Sequence, residues 1–169
     1  MQPLVDWYHS KSTRRRRICS GKSDGGGRQA ARGDPSMLTI GQTAEASFTV
    51  QQGDTAAALS LSPEDAFPPV FATARMVALM ELAAARVMKP LLQPGQLSVG
   101  VSLTVRHTAA TPIGCVVRAV ATYLGAEGKL HRFKVEAFDD AGPIGDCEHT
   151  RAIIATDRLM AGAARRKTP

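Results

Sequence analysis

The sequence predicts an α+β domain in which one long helix is enclosed by a curved antiparallel sheet. Three observations carry this prediction. The run over residues 70–88 is almost wholly apolar, broken only by Thr73, Arg75, Glu81 and Arg86. A helix apolar on nearly every side is expected to be buried on most of them. After Pro94-Gly95 the chain changes to long stretches of alternating apolar and polar residues separated by Gly-containing turns. Such alternation marks half-buried strands, and tight turns between them make an antiparallel meander. The order of elements, one strand, one helix and then several strands, is that of an α+β domain.

Each element has its own signal. Residues 44–52 alternate, with Ala46, Phe48 and Val50 on one face, and read as the first strand. Gly53-Asp54-Thr55 breaks that strand, and residues 59–69 form an irregular connection rich in Ser and Pro. The helix is expected over about residues 72–88, because Ala, Leu and Met favour helix. Pro68-Pro69 stands before it and Lys89-Pro90 closes it. Strands are expected at about 97–108, 114–124, 129–138 and 144–155. In the third of these Phe133, Val135 and Ala137 oppose Arg132, Lys134 and Glu136. The turns fall at residues 125–128 and 139–143. A short helix over 157–164, capped by Asp157, is expected to finish the domain. One apolar helix wrapped by such a sheet is the hotdog arrangement.

A chain of 169 residues suits one domain with a sizeable core. Its formal charge of +6 is unevenly spread. Residues 1–36 hold eight Lys and Arg against three acids, which leaves thirteen basic and twelve acidic residues for the rest. The globular part, residues 37–169, is therefore near neutral, and no aromatics interleave with basic residues in it. Nucleic acid is not the expected partner. Residues 1–36 are poor in apolar periodicity and are expected to be a disordered basic extension. Their four consecutive arginines, Arg14 to Arg17, suit either an anionic-surface tail or a merely solvated one. No run reaches the ~18 apolar residues of a membrane span, and no apolar stretch of a secretory signal follows the arginines. Cys19, Cys115 and Cys147 form no paired spacing, which suggests reduced thiols. The expectation is a cytoplasmic protein without a membrane partner.

Several chemistries lack their motifs. The sequence has no phosphate-binding loop ending in Lys-Ser/Thr, no dinucleotide fingerprint, no HExxH and no GxSxG elbow. Neither a metal nor a redox cofactor is expected. What stands out instead is polar residues in apolar settings. Glu81 lies between Met80 and Leu82 in the middle of the helix. A buried carboxylate is costly unless it is paired, protonated or functional. It reads equally as an ion-pair partner of Arg75, Arg86 or Arg151. Thr73 stands at the helix start, as an N-cap or a site hydroxyl. His107 ends a strand before the corner Thr108-Ala109-Ala110-Thr111-Pro112, as a structural or a catalytic imidazole.

Four motifs in order resemble one known family. They are Pro69-Val-Phe-Ala-Thr73, Met76-Val-x-Leu-Met80-Glu81, His107-Thr-Ala-Ala-Thr-Pro112-x-Gly114 and Glu148-His-Thr-Arg151, with Ala164-Arg-Arg-Lys-Thr-Pro169 closing the chain. Together they are similar to the fluoroacetyl-CoA thioesterases, from about residue 40 to the end. The resemblance implies a homodimeric hotdog thioesterase whose Thr73, Glu81 and His107 are the catalytic set and whose substrate is an acyl-CoA. It implies that Gly100 borders the acyl group, that Phe67 is a lid aromatic, and that Arg151 meets either a CoA phosphate or an acid. Two positions depart from the family. Residues 62–66 lack a second lid aromatic, and Leu82 stands where the family has Trp. A general short-chain acyl-CoA is therefore the expected substrate class.

The chemistry agrees with that set. Thioester hydrolysis needs a nucleophile, a proton donor and acceptor, and stabilisation of an oxyanion. Glu81 suits direct attack or activation of water. His107 suits proton transfer to the departing thiolate, and the Thr73 hydroxyl suits a hydrogen bond to Glu81 or to the carbonyl. In one regular helix Thr73 and Glu81 would stand about 12 Å apart along the axis. Either Thr73 lies in a loop folded back from the helix start, or two subunits combine to make the site. The rival readings are a non-catalytic acyl-CoA-binding hotdog protein and an enoyl-thioester hydratase or dehydratase. The second of these usually has an acid and a His five residues apart on one helix segment, and residues 72–88 hold no such pair.

Overall fold

Alternation along the strands converts directly into a single sheet with one apolar face. The computed structural model describes residues 37–167. The expected basic extension over 1–36 lies outside the described residues. Strands β1 (Thr43–Thr49), β2 (Gln96–His107), β3 (Val116–Glu127), β4 (Leu130–Asp139) and β5 (Gly142–Ala155) pair antiparallel throughout. Their order is β1-β3-β4-β5-β2, so β2 forms an edge. Helix α1 (Thr73–Met88) packs on this sheet, and α2 (Thr156–Arg165) follows β5. This is the hotdog architecture that the sequence predicts.

The core lies between α1 and the inward face of the sheet. Met76, Leu79, Met80, Ala83, Ala84 and Val87 recur at helical spacing and are all buried. Opposite them lie Val117, Ala119 and Ala121 of β3, Phe133, Val135 and Ala137 of β4, and Ile144 and Cys147 of β5. The face expected for β4 is the one that points inward.

Four expectations need correction. The helix is not buried all round: Ala74, Ala78 and Leu82 are exposed, and Leu82 is 47% accessible. The reason is geometric, since the sheet covers only one side of α1. The uncovered side is nonetheless apolar, and edge strand β2 adds exposed Val101. The turn between β3 and β4 is also tighter than expected. Strand β3 continues to Glu127, which pairs with Leu130 across Gly128-Lys129. The alternation fails at Gly125 because the register shifts there, a bulge rather than a chain end. Strand β1 stops at Thr49, because Gln52–Asp54 winds into a short 3-10 turn. Finally, Ala155 and not Asp157 is the N-cap of α2. Asp157 lies in the first turn, where a negative charge suits the helix dipole.

The start of α1 is pinned by backbone and by one buried acid. Ala72 N–H donates to the Asp54 carbonyl at 2.9 Å, and Phe71 N–H donates to the Thr111 carbonyl at 2.8 Å. Buried Thr111 in turn donates its hydroxyl to Asp139 at 2.8 Å. The Asp54 carboxylate accepts from Gln51 N–H at 3.0 Å and from Arg75 Nε at 2.8 Å. Burial pushes the Asp54 carboxyl up, but Gln51 N–H and the Arg75 guanidinium outweigh it and hold it below 3.8. These ties bring the first turn of α1 against the corner after β2.

Replacing Asp54 with Ala is expected to lower unfolding stability by about 1.5–3 kcal/mol, the range for charged hydrogen bonds. Because the folded-state carboxyl is depressed, the difference is fully present well above pH 3.8. It shrinks as pH falls through the lower folded-state value. Urea unfolding of both proteins from about pH 2.5 to about pH 7, which spans carboxylate titration, checks this. A pH-independent difference refutes it.

Candidate active site

The candidate residues separate into two clusters at different heights along α1. At its start, Thr73 is the first helical residue and Ala72 is the N-cap, with no side-chain cap bond. Thr73 is therefore neither a capping residue nor part of a loop folded back on the helix. Its hydroxyl lies 2.8 Å from His107 Nδ1. Burial holds the His107 imidazole below 6.5, although a backbone contact at Ala109 opposes this. The Phe71 ring meets His107 edge-on, with centroids 6.3 Å apart. His107 Nε2 is buried with no hydrogen-bond partner among the described residues. Thr73 and His107 line a cleft of about 350 Å³ with Pro68, Val70, Phe71 and Ala109.

Two turns further on, Glu81 belongs to a different set. Its side chain is 39% accessible, so the mid-helix carboxylate expected to be buried lies instead on the flank of α1. Of the three arginines considered, its partner is Arg151, with Nη1 3.4 Å from Glu81 Oε1. Arg75 is taken by Asp54, and Arg86 donates to the Glu45 carbonyl. Arg151 is only 5% accessible. It donates from Nη2 to the Ser98 carbonyl at 2.8 Å and from Nε to Ser98 Oγ at 3.2 Å. A guanidinium enclosed in this way meets an acid, Glu81. Gly100 on β2 stands beside the same carboxylate, and a Cβ there would overlap Glu81 Oε1. The absence of a side chain lets the carboxylate rest against the strand.

One member of this cluster was not singled out from the sequence. His149 is 1% accessible and faces inward on β5 together with Cys147 and Arg151. Its Nδ1 lies 2.8 Å from the Ser102 carbonyl, and its Nε2 lies 3.1 Å from Arg151 Nη1. A carbonyl only accepts, so Nδ1 carries the proton and Nε2 is the acceptor for Arg151. The ring is therefore neutral, and its 4.0 Å approach to Glu81 is not an ion pair. Burial, with Arg151, holds its pKa below 6.5 against the pull of Ser102 and Glu81. The signal was present in Glu148-His-Thr-Arg151, since residues two apart on a strand share a face. Neighbouring Cys147 offers no rival nucleophile, because burial pushes its thiol up to about 11.

Phe67 joins neither cluster. It lies 56% accessible in the connection before α1, next to the cleft residue Pro68. Among the described residues, no group of three or more His, Cys, Asp or Glu is arranged to hold a metal ion. In the same residues no helix is long and apolar enough to cross a membrane.

Comparison with known proteins converges on one family. The sequence pattern of the family described as fluoroacetyl-CoA-specific thioesterase matches residues 50–157. The chain is 46% identical over 109 residues to a fluoroacetyl-CoA thioesterase from Streptantibioticus cattleyicolor, covering 64% of this chain and 78% of that one. A solved structure of a fluoroacetyl-CoA thioesterase superposes with a TM-score of 0.73 at 40% identity, covering 79% and 99% of the two chains. A variant of such an enzyme in complex with fluoroacetate and CoA superposes with a TM-score of 0.69 at 39% identity, covering 72% and 99%.

The His107 ring is expected to titrate below 6.5, because the fold favours its neutral form. Its stabilising effect is then complete above the unfolded value and declines as pH falls toward the folded one. Histidine NMR titration assigned by a His107→Gln variant checks this, and a midpoint at or above 6.5 contradicts it.

Proposed function

Because this chain belongs to the fluoroacetyl-CoA-specific thioesterase family, and so hydrolyses an acyl-CoA thioester to acid and free CoA, we propose that Thr73, Glu81 and His107 are its catalytic set. The observation that carries this reading is the pairing of Thr73 Oγ1 with His107 Nδ1, with Nε2 left without a partner among the described residues. An imidazole nitrogen so placed suits delivery of a proton to sulfur as the carbon–sulfur bond breaks. Glu81, oriented by Arg151, supplies the other half of the chemistry. It either adds to the carbonyl carbon, giving an anhydride that water then opens, or takes a proton from the water that adds. In both routes the acid keeps one new oxygen and CoA leaves as the thiol. Gly100 gives the acyl group close access to strand β2, and Phe67 covers it from the connection before α1.

The proposed substrate is a short-chain acyl-CoA. One aromatic, Phe67, is available as a lid, and residues 62–66 supply no second one. Leu82 beside Glu81 is smaller than the family's Trp, which favours a general small acyl group over one specialised for fluorine. The proposed domain spans residues 37–169. The proposed location is the cytoplasm, where reduced thiols belong; Cys115 and Cys147 are both free.

We further infer a homodimer with composite sites. Thr73 and Glu81 both lie in the regular helix α1, eight residues and thus about 12 Å apart. His107 goes with the first and Gly100 with the second. Among the described residues the outer side of edge strand β2 is unpaired, which suits antiparallel pairing with a copy of itself. A two-fold axis between Leu103 and Thr104 would set Gly100 of one copy opposite His107 of the other. The apolar flank of α1, with Ala74, Ala78 and Leu82, would be covered by the same contact.

Thiol release from a panel of acyl-CoAs, with fluoroacetyl-CoA included, is expected to show turnover of short-chain members. Saturable binding without release identifies a non-catalytic binder instead. Glu81→Gln and His107→Ala are each expected to reduce kcat by about 10²–10⁴-fold with unchanged thermal unfolding, the range for general acid–base groups. Near-normal activity of both removes them from the catalytic set.

Light scattering is expected to give twice the chain mass. Refolding Glu81→Gln and His107→Ala together is expected to recover roughly a quarter of wild-type turnover, because half the dimers regain one intact site of two. A mixture no more active than its parents places each site within one protomer.

A further inference from the structure

The buried imidazole on β5 lies outside the catalytic set, yet its Nε2 contact leads to Glu81 through Arg151. We propose that His149 is a positioning residue for thioester hydrolysis: its neutral Nε2 accepts a hydrogen bond from Arg151 and so aims the guanidinium at Glu81. This rests on the reading of Glu81 as catalytic.

The geometry leaves the ring no other role in the hydrogen-bond pattern. Its Nδ1–H is committed to the Ser102 carbonyl at 2.8 Å on the neighbouring strand β2. That bond fixes both the tautomer and the ring plane, and turns the Nε2 lone pair toward Arg151 Nη1 at 3.1 Å. Nη1 carries two hydrogens but has three acceptors in range: His149 Nε2, the Glu81 carbonyl at 3.3 Å and Glu81 Oε1 at 3.4 Å. Occupying one hydrogen with Nε2 leaves the other to lie between the two oxygens of Glu81. At the far side of the guanidinium, Nη2 and Nε are held by Ser98. Arg151 is therefore gripped at both ends, and its charge is presented in one direction.

Charge matters as much as direction. The charged or titratable groups facing the imidazole are Glu81 from α1, with Arg151 and the protonated thiol of Cys147 from its own strand. Ser102 from β2 and Phe133 from β4 face it with uncharged groups, the Phe133 ring 6.3 Å away. A second ring proton would place Nε2–H against Nη1–H, two donors with no acceptor between them. The neutral ring instead leaves Arg151 as the one cation beside Glu81 among the described residues. At 4.0 Å from Glu81 Oε1, His149 acts on the carboxylate through Arg151 and not directly. Gly100 completes the arrangement, because a Cβ there would crowd both Glu81 and the His149 ring edge.

Two amide substitutions separate positioning from packing. Asn places its NH₂ near the Nδ1 position and keeps a donor for the Ser102 carbonyl, but its carbonyl oxygen falls short of Arg151. Gln extends its carbonyl oxygen to the Nε2 position. We expect His149→Gln to retain kcat within about 3-fold. His149→Asn is expected to lose about 10–100-fold in kcat with KM changed by less than about 3-fold, the size of effect a misplaced group produces. Equal kcat for the two amides, or a wild-type kcat for Asn, overturns the inference. Glu81→Gln is assayed alongside: if it keeps full activity the reading of Glu81 fails, whereas an inactive Glu81→Gln with a fully active His149→Asn refutes the role of His149 alone. A measurement on the unaltered protein needs no variant to fold. In ¹⁵N-histidine-labelled enzyme, His149 should hold its proton on Nδ1 and keep Nε2 unprotonated at every pH where turnover is measured. A protonated Nε2 under those conditions overturns the proposal.

Discussion

The site depends on one close approach, that of the Glu81 carboxylate to the backbone of strand β2 at Gly100. Any side chain at residue 100 would occupy the space that Glu81 Oε1 fills. The register of β2 against β5 shifts between Gly100 and Ser102, so the strand is irregular at the same point. Bulges of this kind re-aim neighbouring groups. From this contact the remaining partners follow. Arg151 reaches Glu81 from β5, Ser98 holds Arg151 from one side of the bulge, and the Ser102 carbonyl holds His149 from the other. Helix, edge strand and inner strand are thereby joined through a single carboxylate.

The other cluster is held by different means. No side chain caps α1, so its first turn depends on the backbone bonds from Phe71 and Ala72 and on the Asp54–Arg75 pair. These bonds place Thr73 beside His107, with Phe71 against the ring. The environment there is apolar and favours an uncharged imidazole. At Glu81 the environment is built around a paired charge. Proton transfer and carboxylate chemistry want these opposite settings, and a rigid helix keeps them apart within one protomer.

Much of the fold was legible because its punctuation is strong. Lys89-Pro90 ends α1 at the residue before it, Pro68-Pro69 stands a few residues ahead of its start, and the alternation about Phe133 gives the correct inward face of β4. The pairing of β1 with β3, and the position of β2 at the edge, were not legible, because strand order depends on contacts far apart in sequence. Periodicity also misread Gly125 as a turn, since a bulge and a chain reversal break alternation alike. In the site, residue types singled out Thr73, Glu81 and His107 with structural roles equally open, and only the family motifs joined them as a set. His149 escaped notice because its importance lies in its tautomer. That is set by a backbone carbonyl 47 residues away, which no local pattern encodes. Asp54 was hidden for a similar reason: in sequence it looks like a turn residue, and only the fold brings it to the start of α1.

The exposed flank of α1 bears on the chemistry as well as on packing. In the single protomer Glu81 remains 39% accessible beside exposed Leu82. Water at that surface weakens its interaction with Arg151, because Coulomb attraction scales inversely with the local dielectric. It also gives the carboxylate a hydration shell that must be shed before it meets a carbonyl carbon. Covering the flank with a second copy would remove both obstacles at once, and would bring His107 of that copy, the proposed proton donor, within reach. On the proposed arrangement, therefore, association does more than hide Ala78 and Leu82. It supplies the dry surroundings in which a carboxylate on a helix flank becomes reactive, which explains why an apolar helix face carries an acid at its centre.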